Sequence, residues 1–187
     1  PGLGRAGLSP RFVAYLGVLF VFTLGNSTDA LLILRASELG VPASLTLLLW
    51  AMLHVVKSAA STPGGMLSDR LGRRPLIIGG WLVYAAVYLG FGLATEAWQA
   101  WALFAAYGLY FGMTEGVEKA LVADLVPANV RGAAFGWFNL TIGIAALPAS
   151  VLFGGIWQTW GAPVAFATGA GLAVLAAGGL AWVTRES

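Results

Sequence analysis

Six apolar runs, each about twenty residues long and closed by a polar or glycine-proline joint, constrain this chain more than any other feature. They cover residues 12–34, 43–63, 76–94, 98–122, 133–157 and 162–183. A helix rises about 1.5 Å per residue, so about twenty residues cross an apolar slab of about 30 Å. The runs are continuous and lack strict alternation, which favours helices over a membrane barrel. Of 187 residues, 59% are apolar and only 10% charged, against about 25% charged in a soluble domain. A water-soluble fold of this length could not hide that surplus, so lipid must take it. Eight tryptophans and five tyrosines suit the membrane interface, and 26 glycines suit close helix packing in a bilayer. The expected fold is an all-α membrane protein with six transmembrane helices.

Several functions are disfavoured at once. The net charge of +2 does not come from one basic patch, so nucleic acid is not an expected partner. With no cysteine there is no disulfide, thiol chemistry or cysteine metal site, and one histidine does not make a metal site. No nucleotide-binding motif, paired-aspartate motif or useful Ser-His spacing is visible. An enzyme is therefore not expected, and neither a cofactor nor a metal is.

Between the second and third runs stands Gly65-Met66-Leu67-Ser68-Asp69-Arg70-Leu71-Gly72-Arg73-Arg74. Read as a tight polar loop with three arginines, it belongs in water or at the headgroups, and the positive-inside rule puts it on the cytoplasmic side. The other joints then alternate. Arg5, Arg11, Arg70, Arg73, Arg74, Lys119, Arg131 and Arg185 fall at or near the inner surface, while Arg35 alone lies near the outer face and Lys57 within a span. Both termini are expected in the cytoplasm, in a bacterial-type inner membrane.

This stretch resembles the signature of the major facilitator superfamily, G-x-L-[SA]-D-R-x-G-R-[RK], at Gly65, Leu67, Ser68, Asp69, Arg70, Gly72, Arg73 and Arg74. Asp124-Leu125-Val126-Pro127-Ala128-Asn129-Val130-Arg131-Gly132 resembles the family's D-x-x-P-x-x-x-R-G joint between fourth and fifth helices. The resemblance implies half of a transporter of about twelve helices, built from two six-helix halves. Residues 1–9 look like the end of a long central loop, which suggests the second half. The expected layout is a cytoplasmic lead-in over 1–11, a six-helix bundle over 12–184 and a tail over 185–187. The implied function is secondary active transport of a small solute by alternating access, coupled to protons. The alternative is a non-transporting scaffold or sensor, or a truncated half that homodimerises. Either way the implied partners are the bilayer and a second six-helix half, with solute and protons added for a transporter.

The resemblance also implies a latch. Asp69 would meet the amino-terminal end of a helix in the opposite half, and Arg73 would pair with Asp124 in the same chain. Arg70 is less defined and could bind headgroups, as could Arg74.

Charges inside a bilayer are expensive and usually functional. The third and sixth runs have none in their interiors, so they are expected to face lipid. The first carries Asn26 and Asp29, the second His54 and Lys57, the fourth Glu115 and Glu118, and the fifth Asn139. Counting helical rise from the inner face puts Lys57, Glu115 and Asn139 roughly 12 to 14 Å deep, in one layer. Lys57 pairs with Glu115, with Glu118 or with a solute; otherwise its ammonium snorkels to the headgroups. Asp29, beside Asn26, Ser27 and Thr28, is either a solute contact or an outer-end cap with Arg35 and Glu38. His54 either couples protons or simply packs. Of the two glutamates, Glu115 is the candidate proton carrier, while Glu118 is expected to join the cytoplasmic charge cluster. Gly108, Gly112 and Gly116 are spaced for helix packing, as are Gly132 and Gly136.

Overall fold

The computed structural model describes residues 8–26 and 29–183. Expectations for most of the 1–11 lead-in, for Ser27 and Thr28, for Arg5 and Arg185 and for the 185–187 tail lie outside the described residues. Among the described residues, seven α-helices run in order: α1 (Pro10–Gly25), α2 (Asp29–Glu38), α3 (Thr46–Leu71), α4 (Arg73–Leu93), α5 (Ala97–Leu125), α6 (Arg131–Trp160) and α7 (Ala162–Val183). The bundle begins at Pro10, inside what was expected to be lead-in, because the Ser9 hydroxyl caps the helix by accepting from Phe12 N at 3.1 Å.

Among the described residues, five stretches are long and apolar enough to cross a membrane: Pro10–Glu38, Ala43–Leu71, Arg73–Leu93, Ala128–Trp160 and Ala162–Val183. The fourth expected span, α5, is not among them. Its 29 residues reach about 44 Å, but Glu115, Glu118, Lys119 and Asp124 interrupt its apolar character.

The first span is broken rather than continuous. α1 ends at Gly25, Asn26 is extended with φ −95° and ψ 90°, and α2 starts at Asp29. Asparagine and aspartate compete for backbone hydrogen bonds and so favour a helix end. The end leaves the Gly25 carbonyl without its helical donor, and the Tyr84 hydroxyl of α4 supplies one at 2.9 Å. Beyond the break, Arg35 of α2 donates to the carbonyls of Phe91 (3.0 Å) and Ala94 (2.8 Å) at the end of α4. A cation there satisfies open carbonyls and complements the helix dipole.

The signature stretch is not a loop. α3 stays helical through Leu71, and Gly72 alone makes the joint before α4 starts at Arg73. Gly72 has φ +92°, which a side chain would resist. Pro75 then falls in the first turn of α4, where no amide partner is needed.

α3 packs along α5 and α6 along α1, while α4 and α7 pack on each other and back onto α5 and α1. The α3–α5 crossing depends on glycine. A Cβ at Gly112 would lie 2.6 Å from the Lys57 carbonyl oxygen and 2.5 Å from Ala60 Cβ, and one at Gly108 would lie 2.7 Å from the Leu53 oxygen. Small residues let the two backbones touch. Gly116 and Gly132, expected to extend this packing, face open space.

Burial revises the expectation for the third and sixth spans. α4 and α7 are the most enclosed of the membrane-length helices, and α3 and α6 the least. One face of α4 is buried through Trp81, Tyr84, Tyr88 and Phe91, and one face of α7 through Phe166, Ala170, Ala173 and Ala177. Phe22 stacks on Trp81 at 4.4 Å and Tyr84 on Tyr88 at 4.2 Å within this layer. The opposite faces expose apolar side chains such as Leu82, Leu89 and Leu175. Absence of charge therefore marks an outer face suited to lipid, not a loosely attached helix. On the other side of the bundle, α3 and α6 leave Leu47, Val55, Leu147 and Val151 uncovered.

Candidate solute groove

α1 and α5 stand beside each other with little direct packing, and the space between them is a groove of about 270 Å³. α1 lines it with Phe22, Thr23 and Asn26, α5 with Tyr110, Phe111, Thr114, Glu115 and Glu118, and α6 with Phe138 and Asn139. No residue of α4 or α7 lines it. Aromatic walls with a few polar groups are what a small-molecule site needs: area for contact and fixed points for orientation.

The charged centre of the groove sits on its α3 side. Lys57 Nζ lies 2.6 Å from Glu115 Oε2, and Lys119 Nζ lies 3.1 Å from Glu115 Oε1. Lys57 also sits 4.7 Å from the centre of the Phe111 ring, an arrangement in which the ring face attracts the cation. The Lys57 and Glu115 side chains are 28% and 43% exposed, so the pair is partly open rather than sealed. The ammonium does not snorkel: the glycine crossing brings α3 close enough to α5 for a short bond.

The remaining candidates divide. Asn139 lines the groove, with Nδ2 donating to the Phe135 carbonyl at 2.9 Å and its Oδ1 left for another partner. Asn26 lines it at the helix break. Asp29 stands just beyond, where its Oδ1 accepts from the Tyr107 hydroxyl at 3.1 Å. It does not form the expected cap with Arg35, which pairs with Glu38 at 3.0 Å. His54 is exposed on α3 and packs edge-on against Trp50 of the same helix at 5.2 Å, away from the groove.

Glu118 departs from expectation. It does not join the charges at the helix end. Its Oε1 accepts from the Trp81 indole N–H of α4 at 2.8 Å, and the side chain lines the groove. The helical wheel gives the reason: residues three apart differ by about 60° in direction. Glu115 thus points towards α3 and Glu118 towards α4. Nothing in the local sequence marked Trp81 as the partner; the only available signal was two acids on one face with lysines suited to just one of them.

At the signature end, Arg73 gathers several acceptors. It donates from Nη1 to Asp69 Oδ1 at 2.6 Å and to Ser68 Oγ at 2.8 Å, and its Nε lies 3.5 Å from Asp124 Oδ2. The resemblance implies that Asp69 meets a helix end of another half. Here it first meets Arg73, while its side chain stays 69% exposed. Gly65 packs against no neighbour and Arg70 is exposed. Arg131 Nε donates to the Ala123 carbonyl at 3.3 Å, tying the start of α6 to the end of α5. Arg74 donates to the Ala181 carbonyl of α7.

Helices of membrane length beside a groove lined by Asn26, Glu115, Glu118 and Asn139 define a multi-pass integral membrane protein with one polar face. The family model of the Major Facilitator Superfamily matches residues 13–187. The chain belongs to the major facilitator superfamily, whose members are transporters and not enzymes. It is 30% identical to an uncharacterized MFS-type transporter of Methanocaldococcus jannaschii over 162 residues, 83% of this chain and 41% of that protein. It is 34% identical to the multidrug resistance protein MdtG of Erwinia billingiae over 133 residues, 68% of this chain and 32% of that protein. It is 28% identical to the multidrug resistance protein MdtH of Cronobacter sakazakii over 179 residues, 96% of this chain and 43% of that protein. The chain thus spans about two-fifths or less of the length of these curated relatives.

Proposed function

We propose that the chain is the second six-helix half of a secondary active transporter, with α1 and α2 together forming one span and α5 another. It moves a small solute through the groove by alternating access, coupled to protons. The observation that carries this reading is the gathering of Asn26, Glu115 and Asn139 around one aromatic-walled space, with Lys57 bonded to Glu115, on the side of the bundle where α3 and α6 lie uncovered. Polar groups in a bilayer mark the path that cargo takes. A second half, covering α3 and α6, closes the groove into a two-sided path. The positive-inside rule puts the signature end and both termini in the cytoplasm. The Asp69–Arg73–Asp124 cluster then acts as a latch at the inner face, engaging a helix end of the other half when that side is closed.

Two of the relatives are multidrug resistance proteins, so a fluorescent amphipathic cation such as ethidium is a suitable first probe. The test is ethidium movement across vesicles holding the intact protein, with and without an imposed pH gradient. Movement that depends on the gradient and on Lys57 and Glu115 is expected. Ethidium flux equal to that of empty vesicles, together with no flux for a panel of other small solutes, would favour a scaffold or sensor.

A further inference from the structure

The groove holds two glutamates three residues apart, and their surroundings differ. Glu115 is held by two ammonium groups, those of Lys57 and Lys119. Glu118 has no cation within ion-pair distance among the described residues, and it accepts a hydrogen bond from the neutral indole of Trp81. We propose that Glu118 is the proton-exchange site of this half, and that Glu115 is a permanently charged anchor beside it.

The geometry gives the reason. An indole N–H can donate to either oxygen state of a carboxyl group. A proton taken up at Oε2 leaves Oε1 as the carbonyl oxygen of the neutral acid, still facing the Trp81 N–H. Release of that proton returns the carboxylate with the same bond in place. Both forms therefore fit one arrangement of α4 and α5, and the proton enters and leaves through the groove that Glu118 lines. Glu115 lacks this freedom, because protonation would set two ammonium groups against a neutral acid.

The groups facing Glu118 support the assignment. From α1, Tyr15 lies within electrostatic range, and its buried hydroxyl makes no hydrogen bond among the described residues. Unfilled hydrogen-bonding capacity in an interior is costly and calls for a water or a partner that comes and goes. From α5 itself come Tyr110, Glu115 and Lys119. From α4 comes only the uncharged Trp81, α6 offers the uncharged Asn139 in the same groove, and the Lys57 ammonium of α3 is taken by Glu115. Trp81 is fixed in turn by its stack on Phe22, so the donor is positioned before any proton arrives.

The role in coupling rests on the transporter reading, but the chemistry can be tested without a solute. Infrared difference spectra between acid and alkaline buffer would be recorded on the intact protein in lipid vesicles. The expected result is a neutral-carboxyl C=O band that Glu118→Gln lacks and that Trp81→Phe moves in frequency. Trp81→Phe keeps an aromatic ring against Phe22 and loses only the N–H, so it decides the matter if Glu118→Gln does not fold. A carboxyl band identical in wild type, Glu118→Gln and Trp81→Phe would overturn the assignment. In a parallel arm, the pH dependence of ethidium flux should vanish in Glu118→Gln, and unchanged pH dependence there would also overturn it. A wild type with the Glu118 band but no solute flux would sink the transporter reading and leave the proton site standing.

Discussion

Lys57 of α3 and Glu115 of α5 meet at 2.6 Å because Gly112 lets the two helices touch backbone to backbone. The pair is the link between the packing of the bundle and the chemistry of its groove. Removing Glu115 leaves two ammonium groups without their shared carboxylate, removing Lys57 leaves Glu115 with Lys119 alone, and exchanging Lys57 with Glu115 keeps their mutual attraction but loses the contact with Lys119. Lys57→Ala and Glu115→Ala should each lower solute flux, and the swap Lys57→Glu with Glu115→Lys should recover only part of it, because the exchanged lysine faces Lys119 one turn on. Because the pair is partly exposed, a double-mutant cycle on thermal stability should give a coupling of about 1 kcal/mol or less. A swap no better than the single variants would contradict the direct pairing.

The glycine crossing predicts a contrast between two positions one turn apart. Gly112→Leu forces α3 away from α5 and should destabilise by about 1–3 kcal/mol, as overpacking does. Gly116→Ala adds a methyl group to open space and should change stability by no more than about 0.5 kcal/mol. Melting of the purified protein in detergent reads both. Equal effects at the two sites would count against the crossing.

Arg35 holds the end of α4 through the carbonyls of Phe91 and Ala94. Arg35→Ala should cost about 1–3 kcal/mol, because partly buried acceptors lose a charged donor. Lysine has one ammonium and cannot span both carbonyls with a planar fork. Arg35→Lys should therefore restore only part of the loss in melting temperature.

The latch predicts a shift in conformational balance rather than in solute affinity. Asp69→Asn removes the charge that meets Arg73 and weakens the proposed contact with the other half. Residues on the signature side of the groove should become more accessible to a water-soluble reagent in this variant. Unchanged accessibility with unchanged flux would remove the latch from the account.

Much of this arrangement was legible in the chain because helical rise is so regular. The shared layer of Lys57, Glu115 and Asn139 follows from counting residues, and the bond between the first two is consistent with it. What counting misses is direction and backbone. The break after Gly25 lies inside an apolar run, and its open carbonyl accepts from the Tyr84 hydroxyl, 59 residues away by sequence and invisible to hydropathy. Glu118 lies one turn from Glu115 but about 60° around the helix, enough to change its neighbour from α3 to α4. The continuity of α3 through the signature was hidden because charge was read as a loop, although one glycine with positive φ suffices for the reversal. The deep packing of α4 and α7 was missed for a related reason: charge reports the wet face of a helix and says little about how its other face is packed.

The central claim is that the groove between α1, α5 and α6 is the wet side and that the outer faces of α4 and α7 meet lipid. The chain has no cysteine, so single cysteines can be placed in it without removing others. Asn26→Cys and Asn139→Cys should react with a membrane-impermeant maleimide about tenfold faster than Leu89→Cys and Leu175→Cys in vesicles, since only a hydrated thiol ionises and reacts readily. Fast labelling at Leu89 and Leu175 with protection at Asn26 and Asn139 would contradict the account.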